Sequence, residues 1–447
     1  IGAIRDAVGP DYPISFRFSA CDHVPGSNGA YETRALARMI GSAGIDLLNI
    51  SQGVPESRDV ITPPSGIEPG FYALSASALK EVVDVPIAVV GRISDPAIAE
   101  ELVASDTTDF VGMGRSSLAD PQFPLKVAQG RPEDIIPCIA CLRGCAGESR
   151  RGHSVHCALN PRTGREVEYS ERFDLGADER HEGKSVMVVG GGIAGMEAAL
   201  VAASRGHDVD LFEASDRLGG QWRLAAIPPG KQVLATFAAW QVRQIEKAGV
   251  RVHLNEKMTA ARVAAAASDV VIVATGSIPS TPPIPGLAES PLVVGAWDVL
   301  AGKATVRGKV AVLGGGQVGV ETAELLAEQG ARVTIIEAAS EIASDAEPIP
   351  RSWSLAHLDE LGVSVRTGTK VVEVPDMGVL AEHCGVTSKL TGFDTVVTAF
   401  GSRSESALAT EIPEAGFCGR VLVVGDALGV ADAFEDIRNA YEAACSI

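Results

Sequence analysis

Three groups of residues in this 447-residue chain have types and spacings suited to redox chemistry. The first is Cys138, Cys141, Cys145 and Cys157, spaced C-x2-C-x3-C-x11-C. Four thiolates this close in sequence can wrap a single iron–sulfur cluster, which passes one electron at a time. Structural zinc draws on the same donors, usually as two C-x2-C pairs with a longer spacer, and only one such pair is present. A disulfide framework fits less well, because the chain is long, has no secretory h-region and carries only 8 cysteines. Cys21, Cys384, Cys418 and Cys445 are scattered and read as small apolar residues.

The second group is a glycine fingerprint that occurs twice. Gly190-x-Gly192-x-x-Gly195 follows the apolar run SVMVV, and Glu213 lies 23 residues past the first glycine. Gly314-x-Gly316-x-x-Gly319 follows KVAVL, and Glu337 stands at the same interval. The first glycine of such a motif permits a tight turn. The second lets a pyrophosphate approach the backbone, and the third lets the helix pack on the sheet. The helix N-terminus then faces the phosphate charge, and the acid binds ribose hydroxyls. One fingerprint is weak support for a dinucleotide site, whereas two copies with strand, helix and acid in register are strong. The third group is a pair of strand ends, Gly91-Arg92 and Gly114-Arg115, where glycine and arginine together suit a phosphate.

These groups need elements to hold them. Strand-like runs at 13–19, 46–51, 86–93 and 109–115 alternate with helical periodicity, which predicts a β/α repeat and a parallel sheet. Four such units are half of a (β/α)8 barrel. A polar linker over 165–184 precedes the first fingerprint. VVIVATGSIP (270–279) lies between the two fingerprints, and DTVVTAFGS (394–402) repeats its strand-and-glycine ending. VLVVGDA then brings Gly425 and Asp426 after a final strand. The expected fold class is therefore α/β: the C-terminal half of a TIM barrel followed by two nested Rossmann-like dinucleotide-binding domains.

Composition is that of a globular chain, 46% hydrophobic and 21% charged. A net charge of −19 argues against nucleic acid or an anionic membrane as the main partner. No apolar run reaches the roughly 18 residues of a spanning helix. Clustered thiolates need reducing conditions, which points to the cytoplasm. The chain opens at Ile1 and stops within a helical pattern at Ile447, so a fragment of a longer protein is expected.

FRFSACDHVPGSNG, DLLNISQG, PIAVVGRI and DFVGMGRSSLADPQFP resemble strands five to eight of an old-yellow-enzyme type FMN barrel. With the cysteine segment and the paired fingerprints, nearly the whole chain resembles the 2,4-dienoyl-CoA reductase / 2-enoate reductase / trimethylamine dehydrogenase family. The resemblance implies FMN with Arg17 near its ring and its phosphate on Gly91, Gly114 and Arg115. It implies a 4Fe-4S cluster on the four cysteines. It places FAD at Gly190, Gly192, Gly195 and Glu213, with Gln221, Gly425 and Asp426 on the same side, and NAD(P)H at Gly314, Gly316, Gly319 and Glu337. The C-x3-C step is similar to the reductases, since the amine dehydrogenases tend to x2. Glu337 favours NADH over NADPH, because a carboxylate there accepts from a 2′-hydroxyl and repels a 2′-phosphate. The expected domains are 1–135 (half-barrel), 136–183 (iron–sulfur segment and linker), 184–295 with 392–447 (FAD) and 296–391 (NAD(P)H). One departure stands out. Pro55, in Pro55-Glu56-Ser57-Arg58, occupies the position where the family's reductases carry a catalytic histidine. Proline cannot donate a proton, so the catalytic acid is unassigned. His23 reads as a solvated loop residue.

The expected activity is NADH-dependent reduction of an activated C=C bond in a small molecule, with electrons passing from NADH through FAD and the cluster to FMN. The rivals are an amine dehydrogenase of the same architecture and a non-catalytic electron-transfer subunit. The oligomeric state is open. A half-barrel alone would expose its core faces and sheet edges, so the isolated chain is expected to bind FMN poorly.

Overall fold

The computed structural model describes residues 1–173 and 183–447. Part of the linker expected over 165–184 thus lies outside the described residues. The chain forms two compact units, Ile1–His153 and Ser154–Ile447.

In the first unit, strands Ser15–Ser19, Leu47–Ser51, Ile87–Val89 and Phe110–Val111 form one parallel sheet in sequential order. Helices Ala30–Ser42, Ala73–Lys80 and Pro96–Ala104 connect them. Ile87–Val89 is a continuous apolar run, as parallel strands covered on both faces are, whereas Leu47–Ser51 alternates buried with half-buried residues. Leu48, Ile50, Ile87 and Val89 are almost fully buried, and Ala37, Ala76 and Leu79 of the helices join the same core. Asp95 caps the third helix by accepting from Ala97 N at 2.9 Å, with Pro96 at the first helical position.

The second unit contains two parallel five-stranded sheets of the same design. In the first, the spatial order is Arg420–Val423, Val270–Val273, Ser185–Val189, Asp208–Phe212 and Arg251–His253. In the second it is Val293–Gly295, Thr395–Thr398, Lys309–Leu313, Arg332–Ile336 and Ser364–Arg366. Each fingerprint opens a helix of 12 residues: α1 (Ile193–Ser204) and α2 (Gln317–Glu328). α3 (Ala433–Cys445) packs beside α1 and closes the chain. Ribbon strands Ser277–Pro279 and Ser402–Ser404 pair where the chain leaves and re-enters the first module. Thr395–Thr398 hydrogen-bonds to Lys309–Leu313 and Val293–Gly295. It therefore stands in the second sheet, although the boundary expected at 392 gives it to the first module.

Glu324 of α2 is 0% exposed. Burial, with repulsion from Glu321 adding to it, pushes its carboxyl up to about 8. The unfolded chain releases this proton near pH 4.5, whereas the folded chain keeps it to about pH 8. The contribution to stability is therefore whole below about pH 4.5 and is lost progressively as the pH rises toward 8. Glu324→Gln is expected to flatten that part of the stability–pH curve, as read from urea midpoints. An unchanged slope would mean that Glu324 ionises normally in the fold.

Candidate active site: two cofactor pockets and a cysteine segment

At one end of the half-barrel sheet lies a cavity of about 440 Å³. Arg17, Gly91, Gly114 and Arg115 all line it, as do Cys138 and Cys145. Arg17 and Asn49 are cross-strand partners, and Arg17 Nη1 donates to Asn49 Oδ1 at 2.9 Å. Arg115 Nη1 donates to the Pro63 carbonyl at 2.6 Å. A Cβ on Gly114 would meet nothing within 4 Å, so the backbone there is open to the cavity. Gly91 is different: its φ is 116° and a Cβ would come within 2.9 Å of the Tyr72 ring. Tyr72 is 1% exposed, donates to the Val60 carbonyl and has its phenol pushed up to about 12 by burial. Sequence reasoning missed this residue, because nothing in its spacing ties it to a glycine 19 residues later. His23 is exposed, with Nε2 on Gln52 Oε1 at 2.7 Å, and Pro55 is exposed; neither lines the cavity.

The cysteine segment has unusual backbone. Ala140 and Leu142 flank Cys141 with φ of 52° and 62°, a left-handed conformation that costs non-glycine residues energy. Both are buried, at 2% and 1% exposure. Cys145 follows on a π-helical turn, Arg143–Gly147, an element that occurs frequently at functional sites. Burial pushes the Cys145 thiol up and the nearby Cys138 adds to it, while Arg115 opposes. Cys138 and Cys145 line one cavity and all four thiols are half-buried, and soft thiol donors of this kind are chemically suited to a metal-bound thiolate set. Among the described residues, no three His, Cys, Asp or Glu side chains are gathered closely enough to hold an ion. None of the eight cysteines forms a disulfide.

In the second unit, the first fingerprint opens a pocket of about 350 Å³ lined by Gly190, Gly192, Glu213, Gln221, Gly425 and Asp426 among others. The three glycines do different work. A Cβ on Gly190 (φ 114°) would lie 2.1 Å from the Ala274 carbonyl oxygen, and one on Gly195 would lie 1.9 Å from the Gly190 oxygen. A Cβ on Gly192 would meet nothing within 4 Å. Its bare backbone is open to the pocket, as close approach of a pyrophosphate would require. Glu213 accepts from Gly191 N at 2.8 Å and Ser215 N at 2.7 Å. Asp426, 7% exposed, accepts from Gln221 Nε2 at 2.6 Å and Ser277 Oγ at 2.7 Å.

The second copy repeats this arrangement. A Cβ on Gly314 (φ 103°) would lie 2.3 Å from the Ala399 oxygen, and one on Gly319 would lie 2.0 Å from the Gly314 oxygen. Glu337 accepts from Gly315 N at 2.5 Å and Ala339 N at 2.7 Å. The repeated V-x-x-A-x-G endings therefore have one role: each supplies the carbonyl against which the first glycine turns. The copies differ at the second glycine. Asp345 accepts from Gln317 N through both oxygens at 3.1 Å, and a Cβ on Gly316 would lie 3.4 Å from its carboxylate. Arg332 is exposed at the far end of the strand that leads to Glu337.

The model for the NADH:flavin oxidoreductase / NADH oxidase family matches residues 1–134, and that for pyridine nucleotide-disulphide oxidoreductases matches 147–267 and 184–418. The chain is 41% identical to an NADH oxidase of Thermoanaerobacter brockii, covering 100% of this chain and 68% of that protein. The chain belongs to the NADH:flavin oxidoreductase / NADH oxidase family. A cinnamate reductase of Clostridium sporogenes is 33% identical, with 99% of this chain and 68% of the relative covered. A 2-naphthoyl-CoA reductase, solved with 2-naphthoyl-CoA, superposes with a TM-score of 0.94 at 33% identity, over 100% of this chain and 67% of that one. The chain thus spans about two thirds of the length of these relatives. It is an NADH:flavin oxidoreductase, with an FMN-barrel portion joined to a domain pair that binds FAD and NAD(P). No helix among the described residues is long and apolar enough to cross a membrane.

Proposed function

We propose that the protein reduces an activated C=C bond of a 2-enoate or 2,4-dienoyl-CoA type substrate at the expense of NADH. When bound, FAD would take two electrons as hydride from NADH, a 4Fe-4S cluster would carry them singly, and FMN would deliver hydride to one carbon of the double bond while an unassigned acid adds the proton to the other. The observation that carries this reading is the cavity shared by Arg17, Arg115, Cys138 and Cys145, where guanidinium groups suited to a flavin phosphate and thiol donors line one space. The cinnamate and 2-naphthoyl-CoA reductases among the relatives support the substrate class.

The residues have these proposed roles. Gly91, Gly114 and Arg115 hold the FMN phosphate, and Arg17 lies by the ring. Cys138, Cys141, Cys145 and Cys157 hold the cluster. The first fingerprint with Glu213, Gln221, Gly425 and Asp426 holds FAD, and the second with Glu337 holds NADH. The proposed domains are 1–135, 136–183, 184–295 with 392–447, and 296–391, with the second sheet reaching over Thr395–Thr398. Because Glu337 presents a carboxylate where a 2′-phosphate would sit, Glu337→Gln is expected to shift the NADH-to-NADPH preference about tenfold toward NADPH, the worth of roughly 1.4 kcal/mol of relieved repulsion. An unmoved ratio of kcat/KM values would place the specificity elsewhere.

Anaerobic assay with cinnamate and related enoates tests the reading. NADH consumption matched by saturated product supports it. Flavin bleaching by a methylated amine, with no response to NADH, would transfer the protein to the amine dehydrogenases.

A further inference from the structure

The first dinucleotide pocket contains a buried acid that the assigned site does not use. Asp436 lies in the opening turns of α3, whose N-cap Asp432 accepts from Glu435 N at 3.1 Å. Its neighbours on the buried stripe are Phe434, Ile437, Ala440 and Tyr441. A carboxyl in such a stripe is rare unless something pairs with it. Asp436 is 8% exposed, lines the pocket, and its Oδ1 has no hydrogen-bond partner.

The surroundings are acidic. Glu213, Glu321, Asp426 and Asp436 line the pocket, and no lysine, arginine or histidine does. Glu321 is paired with Lys231 at 2.8 Å, and Glu213 is tied to the amides of Gly191 and Ser215. On α3 itself Glu435 is paired with Arg438. The facing helix α1 brings another buried acid, Glu197, and no cation. Asp426 stands in the loop before α3 and already accepts from Gln221 Nε2, Ser277 Oγ and Ala431 N. Asp436 and Asp426 also share a side-chain hydrogen bond, and two carboxyl groups can make one only through a proton held between them.

We propose that Asp436 is a proton-holding residue of this pocket, sharing one proton with the Asp426 carboxylate and coupling the charge of the bound dinucleotide to protonation. The direction of titration agrees: burial raises the Asp436 carboxyl to about 8, and the charges of Asp426, Asp432 and Glu435 push the same way. Asp436 is a positioning residue, since it acts through the pocket's charge. The inference rests on reading this pocket as the FAD site. Reduction of a bound flavin adds negative charge, which strengthens the hold of Asp436 on its proton. The flavin midpoint potential should therefore fall more steeply with pH around pH 8, by one extra proton per two electrons, than on either side.

Two measurements on the whole chain, wild type and Asp436→Asn, test the proposal. The first is infrared spectroscopy in H2O and D2O. The wild-type-minus-variant difference spectrum at neutral pH should show one protonated-carboxyl band, over the signal that buried Glu324 gives to both proteins. The second is the midpoint potential of the bound flavin across pH 6–10. The extra slope near pH 8 should vanish in the variant, leaving a less negative potential above that pH. Asp436→Ala, which retains a good helix former, provides the same comparison if the asparagine variant does not fold. An infrared band unchanged by both substitutions, or potentials that coincide with wild type at every pH, overturns the proton-sharing pair. The difference band in a chain that binds no FAD upholds the pair and overturns the FAD assignment instead.

Discussion

Cys141→Ser is expected to empty the proposed iron–sulfur site while leaving FAD in place. Ala140 and Leu142 hold left-handed backbone on either side of Cys141 while buried, so the segment spends conformational energy on the direction in which this thiol points. An oxygen donor there lacks the soft thiolate that iron–sulfur clusters use. Replacing even an outer-shell partner of a metal site costs about 10–100-fold in metal affinity, and loss of a ligand should cost at least that. Iron and acid-labile sulfide should fall together, and reduction of the C=C substrate with them. NADH-dependent reduction of a dye through FAD should persist, because the dinucleotide pockets belong to separate elements. Cys384→Ser is the control: Cys384 is exposed between hairpin strands Val379–His383 and Val386–Leu390, and its replacement should leave iron unchanged. Equal iron in wild type and Cys141→Ser would remove Cys141 from the ligand set.

The glycine fingerprints should give a second large effect, and one that separates packing from binding. Gly195→Ala places a methyl group 1.9 Å from the Gly190 oxygen, a clash only backbone movement can relieve. Overpacking of this kind costs typically about 1–3 kcal/mol, and here it also distorts the turn that faces the pyrophosphate. Bound FAD should be lost. Gly192→Ala makes no contact within 4 Å, so thermal stability without cofactor should stay within roughly 0.5 kcal/mol of wild type. FAD affinity should nevertheless fall, because the methyl group intrudes where the cofactor backbone must approach. In the second copy, Gly319→Ala should abolish NADH response while FAD stays bound. Flavin retention by Gly195→Ala, together with full NADH turnover by Gly319→Ala, would dissociate the fingerprints from dinucleotide binding.

Much of this architecture could be read from the residues. The four strand positions of the half-barrel and both fingerprint modules follow from apolar runs, helical periodicity and glycine spacing. Those are local signals, and the elements they mark are stabilised by local burial. What was not legible depended on contacts distant in sequence. Tyr72 matters because Gly91 leaves room for its ring, and no period links the two. Asp436 reads as one more acid in a helix with Glu435 and Glu442; only packing shows that it turns inward while Glu435 pairs with Arg438. The strand at Thr395–Thr398 has the same pattern as Val270–Val273, so its sequence cannot say which sheet it enters. The contact of Asp345 with the second helix N-terminus likewise depends on how the loop after Glu337 folds back.

Anaerobic titration with NADH, followed at once by flavin absorbance and by electron paramagnetic resonance, tests the central claim most directly. As the flavin bleaches, the resonance of a reduced iron–sulfur cluster should rise in the wild type and be absent in Cys141→Ser. Bleaching with no iron resonance at any NADH concentration, in protein whose cysteines hold zinc or no metal, would contradict it.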